Sequence, residues 1–114
     1  MSSEKPSRRL KDIIANAQAI SEYTSGMDFA AFTADQRTYD AVERCLQRIS
    51  EAASKLGDFA AVLIPEQPWT RIRALGNYLR HEYDVIEAEQ LWDIIRVELP
   101  SLRSACEDAL KRLP

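Results

Sequence analysis

The stretch from Thr33 to Gly57 reads TADQRTYDAVERCLQRISEAASKLG and carries a regular repeat of apolar residues. The repeat has intervals of three and four residues and consists of Tyr39, Val42, Leu46, Ile49, Ala53 and Leu56. This heptad-like spacing predicts an amphipathic helix that Thr33–Gln36 opens as a capping box and Gly57 closes. Because the stripe is too short for a free coiled coil, we expect the helix to pack inside a bundle.

Helical periodicity also precedes this stretch. A first helix is predicted from about Pro6 to Thr24, and Gly26 ends it. Its apolar face is formed by Leu10, Ile13, Ile14, Ala17, Ile20 and Tyr23. The first two predicted helices therefore each have one face to bury against a neighbour.

Two further helices are predicted after the repeat, from Pro68 to about Asp84 and from about Glu87 to Leu99. Pro100 should force a kink or a restart, beyond which the apolar stripe continues to the C-terminus. Phe59–Ile64 has the composition of a strand, but no second strand exists to pair with it. We interpret it as an apolar connection that lies on the bundle.

These patterns predict an all-α protein, an antiparallel bundle of four to five helices with a kink or break at Pro100. The length of 114 residues suits a single domain that spans residues 1–114. The three glycines are too few for an architecture rich in β-turns.

Charge and composition restrict the possible functions. The net charge of −3 argues against a protein that binds duplex DNA, although it leaves room for a local basic cleft. The single histidine and the widely separated Cys45 and Cys106 offer no zinc-binding pattern, so no metal or other cofactor is expected. Without a signal sequence or an apolar run of roughly 18 residues, a cytoplasmic protein with reduced thiols and no membrane contact is predicted.

Residues 69–84 read WTRIRALGNYLRHEYD and hold most of the chemically versatile side chains. On a helix, five polar residues share an arc of about 100°. They are Arg73, Asn77, Arg80, His81 and Asp84. Such a stripe is usually a solvated surface, and spacing alone favours that interpretation over a functional site.

The segment Pro68–Asp84 resembles the signature of HepT-like proteins of the HEPN superfamily, which carry Arg-Asn-x-x-x-His-x-Tyr at this place. The resemblance continues in Asp12-Ile-Ile14, in the helix Ala41–Ala53 and in Leu91–Leu102, and so covers nearly the whole chain. It implies a HEPN-like fold for the predicted bundle.

The resemblance also implies an activity. HepT-like toxins are homodimers that cut RNA without a metal, in a cleft where the arginine and histidine of both subunits meet. Their antitoxin is a minimal nucleotidyltransferase, MntA, which transfers AMP to the motif tyrosine. By position, His81 would be the catalytic histidine, Tyr83 the modified tyrosine and Asn77 the motif asparagine, with Asp84 in a supporting role.

Gly76 stands where the family has its catalytic arginine. Arg73 and Arg80 lie about one turn away on either side, so either guanidinium is a candidate for the missing phosphate contact. A glycine in mid-helix costs about 1 kcal/mol relative to alanine, which suggests close approach of another backbone or a ligand. Equally, Gly76 could mark a site that has lost its chemistry, in which case Gly76→Arg should raise activity.

Three functional hypotheses follow. The first is a ribonuclease toxin with RNA as substrate and an MntA-like nucleotidyltransferase as partner, which the intact His81-Glu-Tyr83 favours. The second is a non-catalytic HEPN module that binds RNA, a nucleotide or that partner through the same cleft, which Gly76 favours. The third is a dimeric scaffold assembled through the apolar stripe of the second predicted helix.

Overall fold

Helices joined by short turns make up the part of the chain that the computed structural model describes, residues 5–80 and 88–114. In chain order they are α1 (Pro6–Tyr23), α2 (Phe29–Ala34), α3 (Gln36–Leu56), α4 (Phe59–Leu63), α5 (Trp69–Arg80), α6 (Ala88–Asp93) and α7 (Leu99–Arg112). A π-helical turn, Ile94–Glu98, joins α6 to α7. No strand occurs in these ranges, and the predicted all-α antiparallel bundle is confirmed.

The central element is α3, which packs against α1 on one side and α5 on another, while α7 packs on α1. The predicted stripe faces this core: Val42, Leu46, Ile49 and Ala53 are at most 1% exposed. Gly57 ends the helix as predicted, with a φ of 58° that a residue with a side chain rarely adopts.

The predicted capping box at Thr33 is wrong. Thr33 lies inside α2, where its hydroxyl donates to the Ala30 carbonyl. The cap of α3 is Asp35, whose Oδ1 accepts a hydrogen bond from the Thr38 amide at 3.2 Å. The Thr38 hydroxyl donates to the other carboxylate oxygen at 2.9 Å, and these hydrogen bonds lower the pKa of Asp35.

Tyr23 also departs from the predicted apolar face of α1. Its side chain is 48% exposed, because it is the last residue of the helix and lies beyond the contact with α3 and α7 that buries Ile13, Ala17 and Ile20. The rest of the stripe packs as expected, with Ile14 partly buried against the core.

Residues 58–68 form the connection that was expected to lie on the bundle, with one short helix, α4, in place of a strand. Ala60 and Ile64 from this segment are 1% exposed and belong to the core. The Arg112 guanidinium donates to the Leu63 carbonyl at 2.9 Å and so joins the connection to the end of α7.

The break at Pro100 takes the form of a π turn. Proline has no amide proton for an i−4 carbonyl, and its ring crowds that carbonyl. Immediately before it, the Leu99 amide bonds to the Ile94 carbonyl, five residues back, instead of to the fourth. The helix then restarts as α7 with Pro100 in its first turn.

Cys45 and Cys106 are both buried in the core. Burial raises the pKa of the Cys106 thiol to about 12, so this side chain stays protonated at neutral pH. Among residues 5–80 and 88–114, no helix is long and apolar enough to span a bilayer.

Candidate functional site

Helix α5 carries the first part of the motif segment. Arg73 is half-buried beside α3, and the helix continues through Asn77 to Arg80. The structure describes the side chains of α5 as far as Gly76. The remaining predicted site residues have side chains outside the described part of the chain, and their convergence stays a prediction: Asn77, Arg80, His81, Tyr83 and Asp84.

Gly76 is buried where α5 crosses α3. A Cβ placed on Gly76 would lie 2.5 Å from the Ser50 hydroxyl oxygen and 3.1 Å from the Ser50 Cβ. The first distance is far below van der Waals contact. The sequence suggested close approach of another backbone or a ligand, but the close neighbour in the structure is a side chain, that of Ser50 on α3.

The Ser50 hydroxyl joins the two helices through hydrogen bonds in both directions. It donates to the Arg73 carbonyl at 2.8 Å and accepts from the Gly76 amide at 3.1 Å. Ser50 is only 4% exposed; its bond with the Gly76 amide is buried and its bond with the Arg73 carbonyl is partly buried. This Ser50–Gly76 contact fixes how α5 lies on α3 at the start of the motif.

Replacing Ser50 by alanine should lower the free energy of unfolding by about 1–2 kcal/mol, because its two hydrogen bonds to α5 are lost together. Ser54→Ala is the matched control, since Ser54 is exposed one turn later on the same helix and gains the same helix propensity. Urea denaturation monitored by circular dichroism measures both variants. Equal stabilities for the two would show that the contact contributes nothing.

An open groove of about 850 Å³ runs between α1, α3 and α5, directly beside the Ser50–Gly76 contact. Most residues that line it are polar, and each helix contributes residues spaced three or four apart. From α1 they are Arg9, Asp12 and Asn16; from α3, Arg44, Gln47, Arg48, Ser50, Glu51, Ala52 and Ser54; and from α5, Thr70, Arg73, Ala74 and Gly76.

Among the side chains that the structure describes, four arginines and two carboxylates line this groove, so their net charge is positive although the chain carries −3 overall. The Arg9 guanidinium lies 3.4 Å from the Asp12 carboxylate. Arg48 extends past the Cys45 thiol, whose pKa is raised by burial while the nearby guanidinium acts against that rise. The local basic cleft that the composition allowed is therefore present.

The start of α5 is anchored to the rest of the bundle. The Trp69 indole is 3% exposed and its Nε1 donates to the Ile64 carbonyl at 2.7 Å. Arg71 forms an ion pair with Glu98 in the π turn. Trp69 and Arg71 thus hold the start of α5 against the rest of the bundle.

Sequence reasoning concentrated on α5 and missed the residues of α1 and α3 that complete the groove. Arg44, Gln47, Arg48 and Glu51 follow an i, i+3, i+4, i+7 pattern, which is a polar stripe on a helix. That signal was visible in the sequence. What it could not reveal is that this stripe borders α5, because the solvated face of any helix has the same pattern.

Comparison with known proteins places the chain in a family. The family described as Ribonuclease HepT-like matches residues 13–109. The chain is 33% identical over 102 residues to a protein of Methanocaldococcus jannaschii that is named as an inferred RNase, covering 90% of this chain and 84% of that protein. It is 31% identical over 102 residues to a Thermococcus cleftensis protein named "Probable ribonuclease HepT". This alignment covers 90% of this chain and 93% of that protein.

No solved structure matches the chain. The family match extends over most of the sequence, and the fold is the helical bundle that the resemblance implied. The chain belongs to the HepT-like ribonuclease family.

Proposed function

We propose that this protein is a metal-independent ribonuclease and the toxin of a toxin–antitoxin pair. The observation that carries the proposal is the arginine-lined groove beside Gly76, at the start of the motif in a HepT-like ribonuclease chain. A groove of this charge suits a polyanion such as RNA, whose backbone phosphates dominate its binding to proteins. The site is built on one domain that comprises residues 1–114.

In the proposed reaction the ribose 2′-oxygen attacks the adjacent phosphorus and the bond from phosphorus to the 5′-oxygen breaks. One neutral His81 takes the proton from the 2′-hydroxyl, and one protonated His81 gives a proton to the leaving 5′-oxygen. The products end in a 2′,3′-cyclic phosphate and a 5′-hydroxyl. Each chain has one histidine, so the two roles call for a homodimer with both rings in one cleft.

The phosphorane formed on the way carries additional negative charge, which fixed cations stabilise. Gly76 cannot supply that charge. Arg73, which lines the groove, and Arg80, one turn beyond Gly76, are the proposed sources. Asn77 and Asp84 are proposed to hold these groups and the histidine in position.

Regulation would act on the same helix. We propose that an MntA-like minimal nucleotidyltransferase transfers AMP from ATP to the hydroxyl oxygen of Tyr83, two residues after His81, and releases pyrophosphate. The bulky, charged nucleotide would then occupy the cleft and exclude RNA. Such a pair would operate in the cytoplasm, where both ATP and the RNA targets are found.

The direct test is cleavage of a 5′-labelled single-stranded RNA in excess EDTA. The expected products end in a 2′,3′-cyclic phosphate, and the active species should sediment as a dimer. An RNA methylated on every 2′-oxygen is the control and should stay intact. Activity that EDTA removes and magnesium or zinc restores would refute the metal-independent mechanism.

A second candidate function is favoured by Gly76, which leaves the position of the family's catalytic arginine without a side chain. On that hypothesis the chain is a non-catalytic module that binds RNA, a nucleotide or the nucleotidyltransferase. It predicts RNA binding without any cleavage product in the same assay. The two hypotheses therefore differ in one measurement.

A further inference from the structure

Two arginines of α3, Arg44 and Arg48, stand outside the motif and have no part in the proposed chemistry. They are four residues apart, so they lie on the same face of the helix, about 6 Å apart along its axis. Both are exposed, and both line the groove that Arg73 borders from α5. Positive charge therefore lines the groove from α3 as well as from the motif helix.

The carboxylates of the groove do not form ion pairs with Arg44 or Arg48 among the described residues. Asp12 pairs with Arg9 at 3.4 Å, and Glu51 pairs with Lys55 at 3.8 Å. Within residues 5–80 and 88–114, no carboxylate lies within ion-pair distance of Arg44 or Arg48.

Their other contacts keep these arginines oriented without cancelling their charge. Arg44 donates to the neutral Gln47 side chain at 3.2 Å. Arg48 lies beside the Cys45 thiol, which stays protonated because burial raises its pKa. Both guanidinium groups therefore remain available to an anion in the groove.

The groove also offers neutral hydrogen-bonding groups along its length. Asn16, Gln47 and Thr70 line it together with the arginines, and amide and hydroxyl groups are common partners of phosphate and sugar oxygens. The walls are held in register by the Ser50–Gly76 contact. The groove is therefore polar and bordered by packed helices.

We propose that Arg44 and Arg48 bind successive phosphates of a single RNA strand that lies along the groove and reaches the motif end of α5. This inference rests on the proposed function, because it takes RNA as the substrate. It assigns α3 a role in binding the strand away from the cleaved bond, separate from the residues that act on that bond. An acidic peptide is the competing ligand for the same charges.

The experiment measures binding of a fluorescein-labelled single-stranded RNA that is methylated on every 2′-oxygen, so that no cleavage can occur. Fluorescence anisotropy gives the affinity of the full chain between 0.05 and 1 M salt, the upper end being about where phosphate contacts are fully screened. The groove variant is Arg44→Gln/Arg48→Gln. The control variant is Arg37→Gln/Lys111→Gln, which removes the same charge from exposed positions outside the groove.

The logarithm of the binding constant falls linearly with the logarithm of the salt concentration. If each arginine contacts one phosphate, this slope should be less steep by about 1.4 in the groove variant, at about 0.7 per contact for single strands. If the two proteins bind equally at 1 M salt, this difference in slope makes the groove variant bind about 25-fold more weakly at 0.1 M salt. The control variant should stay within about twofold of the unsubstituted chain, as expected for charges away from the strand. Equal losses in both variants would overturn the proposal, because they would reflect net charge alone.

Arg44→Lys/Arg48→Lys is a second variant that keeps both charges, in case the glutamine variant does not fold. Thermal melts show whether each variant is folded. The lysine variant should keep the salt slope of the unsubstituted chain, because each phosphate contact still neutralises one charge. A slope as low as that of the glutamine variant would overturn the proposal. So would polyglutamate binding that is as tight as RNA binding and equally dependent on the two arginines.

Failure of the inference and failure of the proposed function give different results. RNA binding that depends on Arg44 and Arg48, in a protein that never cleaves RNA, supports the groove and refutes the ribonuclease. Cleavage of RNA together with normal binding by the groove variant supports the ribonuclease and refutes the role of α3.

Discussion

Gly76→Arg is expected to destabilise the protein by about 2–4 kcal/mol, the cost of overpacking a buried site and losing its hydrogen bonds. The new Cβ would lie 2.5 Å from the Ser50 hydroxyl oxygen, which must turn away and release the Arg73 carbonyl and the Gly76 amide. Even then the Ser50 Cβ stands 3.1 Å away. Introducing an arginine by this single change should therefore weaken the protein, while the effect of Gly76→Arg on activity stays a prediction.

Gly76→Ala adds only the Cβ atom and so measures the close approach of Ser50 more directly. At an ordinary position inside a helix, glycine to alanine stabilises by about 1 kcal/mol. Here the sign should reverse, because the same Cβ meets Ser50. In a Ser50→Gly background the obstacle is removed, and Gly76→Ala should stabilise in the ordinary way.

The double-mutant cycle of these two positions isolates their coupling. Urea denaturation of the four proteins provides the free energies. An ordinary gain in stability for Gly76→Ala in the unsubstituted background would contradict the close approach of α3.

His81→Ala is expected to reduce RNA cleavage by about 10⁴-fold, the upper range for removal of general acid and base groups. The substitution removes the proposed base from one subunit and the proposed acid from the other. Binding of the 2′-methylated RNA should be unchanged, since the phosphate contacts remain. A His81→Ala variant that cleaves at the unsubstituted rate would remove this residue from the mechanism.

Heterodimers extend this test to the shared cleft. A dimer with one His81→Ala subunit and one unsubstituted subunit retains a single histidine. If base and acid come from opposite subunits, it should be nearly as inactive as the doubly substituted dimer. Half of the original activity would instead indicate that each subunit has an independent site.

The sequence was sufficient for most of the helical architecture, because the apolar repeat of α3 and the proline at position 100 act locally. It failed at Thr33, where Asp35 competes as a cap two residues later, and only the hydrogen bonds of the folded chain decide between them. Tyr23 has the right spacing but lies at the end of its helix. Periodicity does not reveal where the neighbouring helices end.

The candidate site was predictable only in part for a related reason. Gly76 stood out as unusual in its own segment, yet its cause is Ser50, 26 residues earlier in the chain. Likewise, the arginine stripe of α3 is visible in the sequence, but its position across the groove from Arg73 comes from helix packing. Contacts between distant segments do not follow from local spacing.

The Ser50–Gly76 contact also has a consequence for how this sequence can evolve. A lineage that carries serine at position 50 cannot gain arginine at position 76 by one substitution without losing stability. Position 50 must first become smaller, and that intermediate gives up both hydrogen bonds between Ser50 and α5 before any benefit appears. The absence of the arginine is therefore entrenched, and selection for phosphate binding would act more readily on the exposed residues of α3 and α5 that line the groove.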